Sequence, residues 1–133
     1  MMKKVILQWV LRFFAVIILM QTLYFKFSGA EESIYIFSTL GIEPYGRIGS
    51  GIAEAIVSIL LVIPRTTWLG ALGGIAVMSG AILSHLFVLG ITVQNDGGLL
   101  FLLAVLVLLS CLALLYLDKE KFLNVLKLNK YVN

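Results

Sequence analysis

The feature that most constrains this chain is a set of four apolar segments, each long enough to cross a membrane as a helix. A helix needs about 20 predominantly apolar residues to span the hydrocarbon core of a bilayer. Backbone polar groups find no water there, so a spanning segment of this kind must satisfy them within a helix. The segments are residues 5–25, 45–63, 68–90 and 99–117. They predict an all-α membrane protein, a four-transmembrane-helix bundle that forms one integral membrane domain over residues 1–133.

Composition excludes a water-soluble domain. Of the 133 residues, 61% are hydrophobic and 13% are charged, whereas a soluble domain is about half apolar and about one quarter charged. A chain of this size buries too small a share of its surface to hide that much apolar area from water. We therefore expect the lipid bilayer to be its main environment.

The positions of the basic residues and the presence of a single cysteine argue against two classes of function, nucleic-acid binding and thiol redox chemistry. The ten Lys and Arg residues cluster at the ends of the apolar segments. They form no basic face with interleaved aromatic residues, so no nucleic-acid partner is expected. Cys111 lies in the middle of the last apolar segment and alone can form neither an internal disulfide nor a C-x-x-C redox pair. We expect it to pack as a small apolar residue.

Turn residues predict how the helices are connected. Pro64 and Arg65 leave only a tight turn between the second and third segments, and Asp96, in the stretch NDGG, is placed to cap the fourth helix. The second, third and fourth helices are therefore expected to be antiparallel neighbours in sequence order. The longest connection, residues 28–44, is partly apolar and predicts a short helix or a re-entrant piece at the membrane interface.

Basic residues predict the orientation in the membrane. One side of the bundle carries Lys3, Lys4, Arg65, Lys119, Lys121, Lys127 and Lys130, and the other carries Lys26 and Arg47. Because cytoplasmic loops are enriched in Lys and Arg, both termini are predicted to be cytoplasmic. The first segment follows two lysines, as in a signal peptide, but it has no small-residue cleavage site and is expected to remain as a span. Residues 118–133 are predicted to be a basic cytoplasmic tail, either an amphipathic helix along the membrane surface or a frayed end.

Small residues predict close helix packing in the third segment. Gly70 and Gly74 are four residues apart, and Ala76, Gly80 and Ser84 repeat that spacing. Such residues let helix backbones approach where lipid gives no hydrophobic drive to associate. We interpret this stripe as a packing surface.

One acidic residue, Glu54, interrupts the second segment. An ionised residue at the centre of a membrane helix costs about 2.5 to 3.5 kcal/mol, so a partner is expected. Helix rise places Arg12 on the first helix and His85 on the third at compatible depths. We predict that Arg12, Glu54 and His85 form a buried pocket, in which Arg12 holds Glu54 as a carboxylate. The predicted rim of the pocket consists of Lys26, Arg47 and Asp96.

The chemistry open to such a pocket is limited. A metal site usually has three or four ligands, and one His with one deep carboxylate falls short, so no metal is expected. The sequence has no Ser–His–acid spacing of the kind that nucleophilic catalysis needs. A haem would need two axial ligands, and His85 with Met20 or Met78 is a poorly supported pair. A quinone fits better, because its carbonyl needs a donor such as His or Arg, its protons need a carboxylate, and its tail needs apolar walls.

Several motifs resemble the DoxX family of small four-helix bacterial membrane proteins. The similar residues are Arg12 early in the first span, Lys26 in YFKFSG, Glu54 ahead of an L-L-x-x-P ending, and His85 in SHL. The stretches LGIEPYGRIGSGIAE and MSGAILSHL…LGITVQNDGG resemble the DoxX-like branch, and the resemblance covers nearly the whole chain. It implies a bacterial inner-membrane protein associated with oxidoreductase systems, which include a thiosulfate:quinone oxidoreductase and a terminal quinol oxidase.

Three functions are compatible with these features. The leading hypothesis is an accessory or quinone-binding subunit of a membrane oxidoreductase, partnered by other subunits or by copies of itself. Glu54 would then accept or relay protons, and His85 would bond the ligand. The first alternative is a structural or assembly subunit whose charges only lock helices together. The second is a small carrier or permeation unit, with Glu54 and His85 lining a path.

Overall fold

The computed structural model describes the backbone of residues 2–132 and the side chains of residues 2–127. Every regular element in this part of the chain is helical. In chain order the elements are α1 (Met2–Phe27), α2 (Glu31–Thr39), α3 (Tyr45–Val62), α4 (Thr67–Ser84), a π-helical turn (His85–Leu89), α5 (Leu99–Leu117) and α6 (Lys119–Val132).

Four helices are long and apolar enough to cross a membrane, namely α1, α3, α4 with its π-helical turn, and α5. The predicted four-helix membrane fold is therefore confirmed. The ends of α3, α5 and the third span agree with prediction to within one residue, whereas α1 is longer at both ends. At its start, Lys3 and Lys4 are exposed, so the helix continues outward without burying their charges. The prediction of a short helix within residues 28–44 is also confirmed, by α2.

The four spanning helices form a bundle in which α1 and α4 each pack against both α3 and α5. Fully buried apolar side chains fill its centre, among them Leu61 from α3 and Ala71 from α4. Val107 and Cys111 contribute from α5 and are also fully buried. Cys111 thus packs as the predicted small apolar residue. Outward-facing positions such as Ile17 are exposed and apolar, as expected of a surface that contacts lipid.

The two ends of the bundle differ. One end, called here the terminal end, holds the start of α1, the turn between α3 and α4, and α6. Trp68 packs against Phe122 of α6 with ring centroids 5.9 Å apart, and Lys121 donates to the Pro64 carbonyl over 3.0 Å. The other end, the α2 end, holds α2 and the loop of residues 90–98. The placement of α6 along the membrane surface stays a prediction.

The predicted small-residue stripe on α4 divides into two parts. A Cβ at Gly70 would lie 2.8 Å from the Leu61 backbone nitrogen, and one at Gly74 would lie 2.5 Å from Cys111 Sγ. These two glycines let α3 and α5 approach α4, as predicted. A Cβ at Gly80 would meet nothing within 4 Å, so the packing interpretation is wrong for that residue. The α2 half of α4 instead borders open space.

Candidate ligand-binding site

A cavity of about 580 Å³ lies at the α2 end of the bundle. Its walls come from α1, α3, α4 and α5, and α2 lies against it with Ser33, Ile36 and Phe37. Most of the lining is apolar, and the volume lies within the range of small-molecule pockets, which is about 300 to 1,000 Å³. Four of the six residues that were predicted for the site line this cavity. They are Lys26, Glu54, His85 and Asp96.

Glu54 is held in the wall of the cavity by two side chains of α1. It is 2% exposed, and its Oε1 accepts from Lys26 Nζ over 2.5 Å. Thr22 Oγ1 lies 3.1 Å from Oε2 and 2.8 Å from the Leu19 carbonyl, so its single hydrogen can go to either acceptor. Thr22 and Lys26 share one face of α1 because they are four residues apart. The charge of Glu54 is thus met by Lys26.

Gly51 explains why α1 can come this close to α3. A Cβ at Gly51 would lie 2.9 Å from the Phe27 ring, so a side chain here would push the end of α1 away. Gly51 lies one turn before Glu54 on the buried face of α3. The same local feature therefore brings Lys26 within reach of the carboxylate.

Lys26 also links the ion pair to α2. Its Nζ lies 5.6 Å from the centroid of the Phe37 ring, a distance at which a cation is attracted to an aromatic face. Phe37 is buried and lines the cavity. The ammonium group is therefore placed between the Glu54 carboxylate and the aromatic ring of the short helix.

His85 enters the cavity wall from the π-helical turn that follows α4. Its ring is buried, its Nδ1 lies 3.0 Å from the Gly90 carbonyl oxygen, and it meets the edge of Phe101 at 5.8 Å. A carbonyl can only accept, so Nδ1 carries the hydrogen of this bond. In the neutral ring Nε2 is then an acceptor, and no other described residue bonds it. Single π-helical turns occur frequently at functional sites.

Asp96 forms part of the cavity lining and caps α5, as predicted. Its carboxylate accepts from the backbone N–H groups of Val93, Gly98 and Leu100 over 3.0, 2.8 and 3.2 Å. Burial by itself would raise the pKa of Asp96, but these three bonds and the nearby His85 outweigh it and lower the pKa below the ordinary 3.8. Asp96 is therefore a firmly ionised structural residue at the edge of the cavity.

Arg47 lies outside the cavity lining, although it was predicted for the rim. Its Nε donates to Glu43 Oε1 over 2.8 Å, and its Nη1 donates to the Lys26 carbonyl. These bonds fasten the start of α3 to the end of α1. Arg47 supports the position of Lys26 and does not face a ligand.

The predicted pairing of Arg12 with Glu54 is wrong. Arg12 is 3% exposed but belongs to the terminal end, where its guanidinium lies 4.5 Å from the Trp9 ring centroid. Asp118 is the acidic group whose charge acts on it, and Asp118 in turn accepts from Gln8 Nε2 over 2.7 Å. Ten residues separate Arg12 from Thr22, which is about 15 Å along α1. That distance is too great for Arg12 to share the carboxylate.

Several lining residues were missed from the sequence. Thr22 is the clearest case, because its spacing of four from Lys26 marked a polar stripe on α1 that points at Glu54. Glu32 and Ser33 line the cavity from α2, and no pattern in the sequence fixed how that helix would be placed. Within residues 2–132, no group of three His, Cys, Asp or Glu residues is arranged to hold a metal ion.

Comparison with known proteins identifies one family. The family model for DoxX matches residues 7–88, which covers most of α1 and all of α2, α3 and α4, and therefore the ion pair and His85. No curated protein and no solved structure matches the chain. Because the matched region is more than half of the sequence, the chain belongs to the DoxX family.

Proposed function

We propose that this chain is an accessory, quinone-binding subunit of a membrane oxidoreductase system, and that its ligand occupies the cavity at the α2 end. The observation that carries this proposal is a mostly apolar cavity that is lined by a buried ion pair and by a buried His. A quinone has the matching shape, since its ring carries polar oxygens and its tail is apolar. We place the protein in the bacterial inner membrane with both termini cytoplasmic, in accord with its basic terminal end.

Each polar group has a distinct part in this proposal. Lys26 retains N–H donors beyond the one given to Glu54 and can bond a ring oxygen. Glu54, held as a carboxylate by Lys26, can accept a proton when the ligand exchanges one. His85 lines the cavity from the π-helical turn that follows α4 and offers Nε2 to a ligand group. Arg12 has no part in binding, in contrast to the role that the sequence suggested for it.

The test is equilibrium binding of a short-chain ubiquinone and a short-chain menaquinone to the purified protein in lipid nanodiscs. Gly80→Leu would fill the cavity without touching the ion pair and should weaken binding by about tenfold or more. Gly49→Leu is the matched control, because a Cβ at Gly49 would also meet nothing within 4 Å, yet Gly49 does not line the cavity. Glu54→Gln should weaken binding as well. Absence of quinone binding, or equal binding by the two glycine variants, would contradict the proposal.

A second candidate is the structural or assembly subunit. The observation in its favour is the buried Asp118 at the end of α5, which accepts from Gln8 of α1 over 2.7 Å and lies near the buried Arg12, away from the cavity. The carrier alternative has less support. Between the cavity and the terminal end, fully buried apolar residues such as Leu61 and Leu114 fill the centre of the bundle. Solute flux into proteoliposomes that Glu54→Gln abolishes would favour the carrier.

A further inference from the structure

We propose that the cavity prefers a ring ligand in its reduced, hydroxyl-bearing form, and that His85 selects it by accepting a hydrogen bond at Nε2. This inference rests on the proposed function and specifies the oxidation state of the ligand. The expectation from sequence was different, because it treated His85 as a donor to a quinone carbonyl. The change comes from the way the backbone holds the imidazole ring.

Two hydrogen bonds join His85 to the same residue, Gly90. The His85 carbonyl accepts from the Gly90 N–H over 2.7 Å, and His85 Nδ1 donates to the Gly90 carbonyl over 3.0 Å. Gly90 has φ 80°, a value that glycine adopts at no steric cost. The π-helical turn and this glycine therefore fix which ring nitrogen carries the hydrogen.

The remaining nitrogen, Nε2, is the group left for a ligand. His85 is 5% exposed and lines the cavity, and no described residue bonds Nε2. In the neutral ring this atom has a lone pair and no hydrogen. A hydroxyl can donate to it, whereas a quinone carbonyl would place two acceptors against each other.

The ion pair on the other side of the cavity accommodates the same ligand. Glu54 is an acceptor when ionised, as in its ion pair with Lys26 over 2.5 Å. Both His85 and Glu54 thus present acceptors to the cavity, and Lys26 presents the donor. A dihydroxy ring can satisfy the acceptors through its O–H groups and can accept from Lys26 through a hydroxyl oxygen.

The wall around His85 also holds the ring in position. The ring centroids of Phe101 and His85 lie 5.8 Å apart in a T-shaped arrangement. Asp96 lies nearby and accepts from three backbone N–H groups. As a carboxylate, Asp96 has no hydrogen to donate to Nε2. The lone pair stays available to a ligand.

The experiment compares three probes in nanodiscs at about pH 8, above the usual range for imidazole protonation. The probes are a short-chain quinone, its quinol under anaerobic reducing conditions, and the quinol dimethyl ether, which cannot donate. One hydrogen bond of ordinary strength is worth up to about tenfold in affinity. We expect the quinol to bind about tenfold more tightly than the other two probes.

The variant His85→Asn separates selection from folding. Asn can keep a donor near the position of Nδ1 for the Gly90 carbonyl, but it has no acceptor at the position of Nε2. We expect its quinol affinity to fall to that of the quinone, so that the tenfold ratio between the two probes disappears while quinone binding stays measurable. Tighter binding of the quinone, or a quinol preference that survives in His85→Asn, would overturn the inference.

The outcomes also separate this inference from the proposed function. Equal binding of quinone and quinol, lost in Gly80→Leu but not in Gly49→Leu, would overturn the selection by His85 and leave quinone binding in place. Binding of none of the three probes would overturn both. A preference for quinol that disappears in His85→Asn supports both.

Discussion

Glu54 shows how one buried charge depends on a single partner. Its carboxylate is 2% exposed and is paired with Lys26, while Thr22 offers a hydroxyl that it shares with the backbone. A buried pair adds little to stability compared with an apolar pair of similar volume, but loss of one partner leaves the other charge uncompensated. Replacing one residue of the pair should therefore destabilise the protein more than replacing both.

Lys26→Met should lower the free energy of unfolding by about 3 kcal/mol, because it removes the charged partner of the buried Glu54 carboxyl group. The double variant Lys26→Met, Glu54→Met should recover most of that loss. Unfolding in mixed micelles, followed by circular dichroism, would measure both. Arg47→Gln is a useful comparison, since it removes bonds at the start of α3 but keeps both residues of the ion pair. A single Lys26 variant as stable as the parent would show that Glu54 has another partner.

Arg12→Leu should destabilise the bundle by about 2 kcal/mol, because Asp118 loses its nearby positive charge. Adding Asp118→Asn should restore part of the stability. Quinone affinity should stay within about twofold of the parent in both variants, because Arg12 lies about 15 Å along α1 from the cavity residue Thr22. If a folded Arg12→Leu variant no longer bound quinone, Arg12 would have to be counted among the ligand-binding residues. Binding and unfolding measured on one preparation would decide between these results.

The site was only partly predictable from sequence, and Arg12 shows the physical reason. Helix rise gives depth within one helix, and Glu54 and His85, for which it predicted compatible depths, both line the cavity. It does not give the register between two helices. Glu54 contacts Thr22. From this contact to the terminal end of the bundle, α1 extends about 30 Å, whereas α3 extends only about 12 Å. Two residues that are equally far from the terminal ends of α1 and α3 therefore lie at different depths in the bundle.

At the scale of elements, α4 has two halves with different roles. Its first half packs closely through Gly70 and Gly74, and its second half borders the cavity at Gly80. The sequence predicted the helix and its small residues, since both follow from local pattern. The sequence did not predict the π-helical turn at the end of α4, because residues 85–89 contain no Gly or Pro that would mark a change in the helix. That turn is what directs His85 into the wall.

Gly70→Ala should lower the free energy of unfolding by about 1 to 3 kcal/mol, because its Cβ would press on the Leu61 backbone. Gly80→Ala is the matched control on the same helix. It should be neutral or stabilising by up to about 1 kcal/mol, because Ala favours helix and nothing obstructs its Cβ. Unfolding midpoints in one detergent would rank the two. Equal destabilisation by both would contradict the division of α4 into two halves.

Asp96→Asn should weaken the start of α5 by about 1 kcal/mol, as expected for loss of a charged cap. Because the folded pKa of Asp96 lies below the ordinary 3.8, the contribution of its charge is complete above that value. It is lost only as pH falls through the lower folded value. The stability difference between the parent and Asp96→Asn should therefore shrink as the pH falls below about 4. A difference that is as large at pH 3 as at pH 5 would contradict a contribution from the Asp96 charge.

At the scale of the whole molecule, the chain has one axis with two different ends. The terminal end carries most of the basic residues, and the α2 end carries the cavity. The difference between the two ends was predictable from the sequence, because the charge and hydropathy of a segment follow from its own residues. They do not depend on contacts between helices. Placement of α2 against the cavity was not predictable, since it depends on tertiary packing.

The orientation can be tested with introduced thiols, because Cys111 is fully buried and should not react in the parent protein. Ser28→Cys lies exposed near the α2 end, and Asn124→Cys lies exposed on α6. A membrane-impermeant maleimide added to intact cells should label Ser28→Cys, whereas Asn124→Cys should react only after permeabilisation. The reverse pattern would place the termini outside and would contradict the predicted topology.

The unequal lengths of α1 and α3 bear on how the protein meets membranes of different thickness. With 26 residues α1 is about 39 Å long, and with 18 residues α3 is about 27 Å long. The hydrocarbon core of a bilayer is about 30 Å thick, so no single thickness matches both helices. Tilt of α1 and local thinning of lipid beside α3 are the usual adjustments to such mismatch. A thicker membrane would therefore strain the molecule first along α3, the helix that holds Glu54.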